Sequence, residues 1–451
     1  MAERRLPARA VLASVTDGFT ELPHAPGTAA DGGGNGDGNG PIGWADYGAA
    51  RARARERTGE RESVVCGTGA VGGVPAVLIA FEFAFLGGSL GQRTGDRIEA
   101  AHRYARRARL PVVSLLATGG SRMQEGMRAL VQLQRVARES ALTRAAGLPQ
   151  IAVARDPTTG GGWATLGAGS DVVLALPGAQ IGFAGSRVRP PGADPAAYGA
   201  EGQLAAGQID RIVAPGELRS VLGRWLSLLT SPAGGPPEPP RALGAADGLP
   251  PSGWEAVERA RSPRRPRADA YLEAYFEVRE EIGGDRCGGT DPGMRCGFGR
   301  RGGRTVAYAA QCGTPTRPAG FRTAARLIRL ADRLGVPVLT LVDTPGAAND
   351  AEAERSGAGA AVAEAFAAVA EARVPVTTLV VGEGGSGGAL ALASPDNTWI
   401  TPDGYFSVIA PESAAAILKR GPERVRATAD ELRLRPQDLV ELGIVRGIVA
   451  P

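Results

Sequence analysis

Histidine and lysine are nearly missing from this chain. Two histidines, His24 and His102, and one lysine, Lys419, stand among 451 residues. The G-x-S-x-G stretch at Gly384 to Gly388 would suit a serine hydrolase, but that mechanism needs a histidine base after the serine, and none follows Ser386. A P-loop needs its lysine in G-x-x-x-x-G-K-[ST]; Lys419 lies in IAPESAAAILKR, so the Asp343-Thr344-Pro345-Gly346 run is no nucleotide switch. No G-x-G-x-x-G follows a first strand with an acidic residue about 20 positions on, which argues against a dinucleotide fold. Cysteine is also scarce. Cys66, Cys287, Cys296 and Cys312 form no C-x-x-C and have no histidine at ligand spacing, so no metal site is expected. They read as buried free thiols in a reducing compartment. No apolar run reaches the roughly 18 to 20 residues of a membrane span, and Arg4-Arg5 leads into no signal-peptide core. The expectation is a cytoplasmic protein with no membrane attachment. The net charge of +4, nearly all from arginine, reads as a solvated surface and implies no nucleic-acid partner.

Glycine, by contrast, is abundant, at 66 residues. The chain is organised around Val380 to Leu392, VVGEGGSGGALAL, where the apolar run Val376 to Val381 enters a glycine loop and an alanine-rich helical pattern leaves it. Such a turn presents free N–H groups at the positive end of a helix, a place for an anion or for an oxygen that becomes anionic. Ile151 to Leu166, IAVARDPTTGGGWATL, repeats the design about 226 positions earlier. Pro111 to Gly120 (PVVSLLATGG) pairs with Pro337 to Gly346 (PVLTLVDTPG) at the same offset, and Pro177-Gly178-Ala179 pairs with Pro402-Asp403-Gly404. The chain is therefore read as two diverged copies of one α/β domain, with strands alternating with helices. The boundaries are a flexible tail over 1–42, a first domain over 43–230, a Pro/Gly-rich linker over 231–254 and a second domain over 255–451. The tail ends in the glycine run DGGGNGDGNG at 31–40. Strands are expected near 71–85, 112–116, 151–154, 172–176, 305–310, 338–342 and 376–381, and helices near 96–109, 121–145, 268–281, 319–334 and 358–372. Thr118-Gly119-Gly120 and Gly387-Gly388-Ala389 are the turns that can offer amides to an oxyanion. Read from spacing alone, the same glycines could serve only close helix–strand packing.

Cys66 to Phe183 closely resembles the β subunit of the bacterial acetyl-CoA carboxylase carboxyltransferase, through GTGAVGG, FLGGSLG, TGGSRMQEGM, DPTTGG and IGFAG; Gly43 to Gly59 matches it as well. Arg264 to Val449 is similar to the α subunit, through RPRADAYLEAYFEVREEIGGDR, GFRTAARLIRLADRLGVPV, DTPGA, VVGEGGSGGALAL and FSVIAPESAAAIL. The chain thus resembles both subunits fused, β-like half first. The resemblance implies two tandem crotonase-type (ClpP/crotonase) ββα spiral domains. It also implies a biotin-dependent enzyme that moves a carboxyl group from carboxybiotin to acetyl-CoA, giving malonyl-CoA for fatty acid or polyketide synthesis. Gly119 and Gly120 would donate to the thioester oxygen, Gly388 and Ala389 to the biotin ureido oxygen, with a biotin nitrogen as base. Gly87, Gly88, Arg122, Gly160, Gly161, Gly346, Gly384, Gly385 and Gly387 would bind substrate. In this family the site lies between a β-like and an α-like domain, commonly across a dimer interface, so a homo-oligomer is implied.

Departures from the family pattern are equally visible. No cysteine precedes Trp44, so the zinc ribbon usual in the β subunit is not expected. Ser186-Arg187-Val188 stands where the family has proline–arginine–valine, followed by the short RPPGADPAAYG. Ala347-Ala348-Asn349-Asp350 replaces a tyrosine–proline–glycine run. No Met-Lys-Met biotin attachment site exists, which implies a separate biotin carboxyl carrier protein and biotin carboxylase as partners, and no covalently bound cofactor. Two other readings use the same loops: a decarboxylase of malonyl-CoA or another malonyl thioester, and a non-catalytic assembly subunit.

Overall fold

A computed structural model describes residues 5–23, 38–231, 234–244 and 248–451. It divides into two compact units, Met1–Thr230 and Ser231–Pro451.

The first unit is built on strands β1 (Phe19–Glu21), β2 (Val64–Val71), β3 (Val74–Phe81), β4 (Val112–Thr118), β5 (Gln150–Thr159), β6 (Val172–Ala175), β7 (Ile181–Gly182) and β8 (Arg211–Ile212). Their sheet runs β1-β2-β3-β4-β5-β6-β8, with β7 beside β5. The β2–β3 hairpin turns at Gly72 and Gly73, both at positive φ. From β3 onward the pairings are parallel. Every residue of β4, VVSLLAT, is buried, as befits a parallel strand covered on both faces. The Gln92–Ala108 helix packs on β2 and β3, with Thr94, Ile98, Ala101, His102 and Ala105 buried at spacings of three and four.

The second unit repeats the plan with β9 (Val278–Ile282), β10 (Met294–Arg301), β11 (Arg304–Gln311), β12 (Val338–Thr344), β13 (Val376–Gly385), β14 (Thr398–Ile400), β15 (Tyr405–Ser407) and β16 (Gly447–Ile448), in the order β16-β14-β13-β12-β11-β10-β9, with β15 beside β13. The Pro318–Leu334 helix is started by a proline whose φ is already helical and stopped by Gly335 at φ 70°. The repeat holds to the residue. The β4–β5 register shifts between Leu116 and Thr118, and the β12–β13 register between Val342 and Thr344, again about 226 positions on.

Four expectations need correction. The segment 1–42 is not a free tail over its first half: Ala8–Val15 is a helix with Ala8, Val11, Leu12 and Val15 buried, and β1 pairs antiparallel with β2. Its apolar residues recur at helical spacing, which the glycine run downstream obscured; residues 24–37, with His24 and most of that run, lie outside the described residues. The linker packs in part on the second unit, where Ala242 is buried and donates its N–H to Ala450 O at 2.9 Å, and Pro237 O accepts from Thr377 Oγ1 at 2.8 Å. The helix at Ala268 ends at Tyr275, and Val278–Ile282 is the edge strand β9; pairing with β10 outweighs the helical preference of its glutamates. Finally, Cys66 and Cys296 are buried, but Cys312 is half-buried and Cys287 exposed.

His102 is wholly buried, with Nδ1 3.0 Å from Thr143 Oγ1. Burial, and then the charge of Arg106, push its imidazole from 6.5 down to about 4. The unfolded chain therefore binds a proton that the folded chain refuses, and stability falls as pH drops from 6.5 toward 4. Between pH 7 and pH 5 this costs about 2 kcal/mol. Chemical denaturation at the two pH values should show that loss in the parent chain and little of it in His102→Gln.

Candidate active site

Each unit carries a pair of glycine turns at the carboxyl ends of two adjacent parallel strands. In the first unit β4 ends in Thr118-Gly119-Gly120 and β5 in Thr158-Thr159-Gly160-Gly161. A Cβ built on Gly160 would lie 2.9 Å from Gly120 Cα, so the turns touch through their backbones. A third turn, Leu86–Gly88, lies against them, with Gly119 N donating to Gly87 O at 2.9 Å, and a Cβ on Gly88 would fall 2.0 Å from Ala117 O. The structure thus brings together Gly87, Gly88, Gly119, Gly120, Gly160 and Gly161.

The second unit reproduces this arrangement. β12 ends in Thr344-Pro345-Gly346 and β13 in Gly384-Gly385-Ser386. A Cβ on Gly385 would lie 2.1 Å from Pro345 O, and one on Gly388 2.3 Å from Ala347 N. Gly346 N donates to Thr344 Oγ1 at 3.1 Å, as Gly120 N does to Thr118 Oγ1 at 3.1 Å. Gly384 lies under Phe406, its Cβ position 2.8 Å from that ring, and serves packing between β13 and β15.

Counting backbone donors decides which amides are free for a ligand. Gly119 N–H is spent on Gly87 O and Gly120 N–H on Thr118 Oγ1, so neither of these two expected donors is free, and Pro345, the counterpart of Gly119, has none. Gly160 N–H goes to Phe183 O at 3.1 Å. The Ser386–Leu390 helix is capped by Gly385. The N–H groups of its first three residues, Ser386, Gly387 and Gly388, have no intrahelical acceptor, whereas Ala389, the fourth, donates back to the capping carbonyl. Gly387 and Gly388 therefore present amides where Gly388 and Ala389 were expected. The counterparts in the first unit are Gly161 and Gly162, the second of which the sequence reading did not single out. The signal for it was the exact repeat, since Gly162 stands where Gly388 does in the second copy.

Arg122 was expected to touch substrate; in the structure it is buried among protein groups. Its side chain is 0% exposed and its donors are taken: Nη2 by Glu62, by Ser63 Oγ at 3.1 Å and by Ser89 O at 2.8 Å, Nη1 by Glu125 at 3.2 Å, and Nε by Ser89 Oγ at 3.1 Å. Burial alone would push the Glu62 carboxyl up, and the Arg122 charge and hydrogen bond bring it below the ordinary carboxylate range. This cluster holds the first unit's turns from beneath.

The two carboxylates beside the second unit's turns, Glu383 and Asp343, are each paired with an arginine. Glu383 accepts from Tyr405 Oη at 2.8 Å and Arg261 Nε at 3.1 Å. Asp343 is wholly buried beside Arg265, with Oδ1 2.5 Å from Nη2; burial raises its pKa against the pull of that guanidinium. Ser386 is exposed and sits at φ 56°, the left-handed strand-to-helix turn of a nucleophile elbow. The matching residue is Gly160 at φ 65°. The turn imposes this backbone conformation, so Ser386→Gly should raise stability by up to about 1 kcal/mol, read as a shift in unfolding midpoint.

Comparison with known proteins agrees with this duplicated geometry. The "Carboxyl transferase domain" family model matches residues 44–227, and the "Acetyl co-enzyme A carboxylase carboxyltransferase-like" model matches residues 251–451. The acetyl-coenzyme A carboxylase carboxyl transferase subunits beta/alpha of Salinispora arenicola is 40% identical, covering 99% of this chain and 83% of the relative. Its namesake in Saccharopolyspora erythraea is 39% identical over 88% of this chain and 73% of its own length. A probable biotin-dependent acyl-coenzyme A carboxylase beta3 subunit of Mycobacterium bovis is 34% identical over 88% and 82%. Among solved structures, the transcarboxylase 12S hexamer core superposes with a TM-score of 0.78 at 21% identity, covering 99% of this chain and 86% of that one. At that identity the likeness bears on the fold, which is the crotonase-like α/β fold in two tandem copies.

Proposed function

This chain belongs to the biotin-dependent acyl-CoA carboxyltransferase family, with the β-type and α-type subunits fused, and from that premise we propose that it carboxylates acetyl-CoA to malonyl-CoA. The carboxyl donor would be carboxybiotin on a separate carrier protein, charged by a separate biotin carboxylase. A homo-oligomer is part of the proposal; the transcarboxylase 12S core is described as a hexamer.

The observation that supports the reading is the pair of amide-lined turns in each unit, with the neighbouring carboxylates of the second already paired. Stabilising an enolate needs hydrogen-bond donors aimed at its oxygen, and each such donor is worth about 3 kcal/mol. In the first unit Gly161 and Gly162 would receive the acyl-CoA thioester oxygen, with Gly87, Gly88, Gly119, Gly120 and Gly160 shaping the turn. In the second, Gly387 and Gly388 would receive the biotin ureido oxygen, backed by Gly346 and Gly385. When bound, carboxybiotin supplies the carboxyl group and a ureido nitrogen able to accept the acyl α-proton. The protein then needs no side-chain base, which fits a chain with two histidines.

Malonyl-CoA consumption by the purified chain, with and without biocytin as a free biotin surrogate, tests this. Consumption only with biocytin, with carboxybiocytin formed, is the expected result. Consumption without it would make the chain a decarboxylase, and propionyl- or longer acyl-CoA accepted in preference would overturn the acetyl assignment.

A further inference from the structure

Gln311 closes β11 and is wholly buried. Its Nε2 donates to Gly388 O at 3.0 Å and to Thr316 Oγ1 at 3.1 Å. Thr316 Oγ1 lies 3.5 Å from Thr344 Oγ1, which in turn lies 2.8 Å from Gly346 O and accepts the Gly346 N–H at 3.1 Å. One amide group thus ties the Gly387–Gly388 turn to the Thr344–Gly346 turn. Both contacts of Nε2 lead to acceptors on the two turns that carry the second unit's amides.

The other half of the same amide makes the point sharper. Gln311 Oε1 is buried with no hydrogen-bond partner. A buried acceptor left unpaired costs free energy that an apolar side chain of similar volume avoids. The first unit shows that solution: the residue closing its matching strand, β3, is Phe81, also wholly buried. The amide cannot be turned round to relieve the cost, because Oε1 would then face the Gly388 carbonyl, acceptor against acceptor. As a filler Gln311 is therefore a poor choice, and its contacts serve the turns.

We propose that Gln311 is a positioning residue of the carboxyltransferase reaction: by holding the Gly388 carbonyl to Thr316 it sets the spacing between the second unit's two turns. This rests on the reading that Gly387 and Gly388 receive the carboxyl donor. Misplacing a catalytic group by about 1 Å costs up to about 100-fold. Gln311→Met keeps the volume and removes both donors; it should lower kcat about 10- to 100-fold. It should leave KM for malonyl-CoA within about twofold, since the first unit's turns are untouched.

Gln311→Glu gives a second readout that simple packing would not move. At this buried position the carboxyl pKa is raised, so the ionised form offers only acceptors to Gly388 O while the protonated form offers one O–H donor. Activity relative to the parent chain should rise as pH falls from about 8.5 to about 6. The Gln311→Met ratio should stay flat.

The experiment is the biocytin-dependent assay on the full chain across that pH range, with Gly388→Ala as reference and circular dichroism to check folding. Full kcat in Gln311→Met beside an inactive Gly388→Ala would overturn the positioning role and leave the site assignment standing. Full kcat in both would overturn the site assignment and the proposal with it. Should Gln311→Met not fold, Gln311→Glu decides: a flat pH ratio counts against the role, and a rising one supports it.

Discussion

Gly388→Ala is expected to lower biocytin-dependent malonyl-CoA turnover by about 10²- to 10³-fold, the loss that follows removal of one well-placed oxyanion donor. The cause is local contact. Gly388 has an ordinary negative φ, so alanine meets no conformational penalty there. Its new Cβ, however, would stand 2.3 Å from Ala347 N and 2.7 Å from Gly346 C, both backbone atoms. That turn cannot retreat freely, because Thr316 N donates to Gly346 O at 3.0 Å and Ala348 N to Thr316 O at 2.9 Å. The two turns must part, and the amides at Gly387 and Gly388 move with them. Gly359→Ala, in the Ala358–Glu371 helix away from the turns, is the control. Nothing lies within 4 Å of the Cβ it would add, so its kcat should stay within about twofold of the parent. Steady-state kinetics on the two variants decides the matter, and equal activity in both would remove Gly388 from the site.

The Gly388 turn also shows where reading from sequence stops. The repeat was legible because hydrophobic runs and glycine turns recur at a fixed offset, and the offset carried the strands, the helices and even the register shifts of β4–β5 and β12–β13 onto one another. The turns were legible for the same reason. What could not be read was which N–H in a turn is already spent. Gly119 and Gly120 both look free in Thr-Gly-Gly, and only the approach of Gly87 O to the one and of Thr118 Oγ1 to the other shows otherwise. Ala389 looks like a donor until the helix start fixes Gly385 as its cap. Gln311 was silent in the sequence for a related reason. A polar residue closing an apolar strand carries no periodic signal, and its meaning lies in a carbonyl 77 positions away. Motifs report local backbone habit, whereas donor satisfaction is a tertiary property.

Arg122 illustrates the same limit from the side of charge, and its removal should have the largest effect on stability. An arginine two residues after an oxyanion turn invites a substrate contact. If that were its role, Arg122→Met would raise KM for malonyl-CoA and leave the fold intact. The structure points the other way. The guanidinium is sealed from water against Glu62 and Glu125, and Tyr47 Oη, itself 2.5 Å from Glu125 Oε1, lies 3.3 Å from Nη1. Glu125 Oε2 in turn accepts from Gln92 N at 2.6 Å, at the start of the helix that packs on β2 and β3. Deleting the cation leaves two buried carboxylates without their charge partner. Breaking one side of such a cluster costs about 3–5 kcal/mol. The pH dependence identifies the mechanism. Without Arg122, the folded-state pKa of Glu62 rises above its unfolded value, so the variant recovers stability as pH falls and Glu62 takes up a proton. The gap between variant and parent should therefore be widest at pH 7 and narrow toward pH 5. The His102 contribution is common to both chains and cancels in the difference. Urea denaturation of the two proteins at both pH values measures it. A variant as stable as the parent, with only KM raised, would return Arg122 to the substrate.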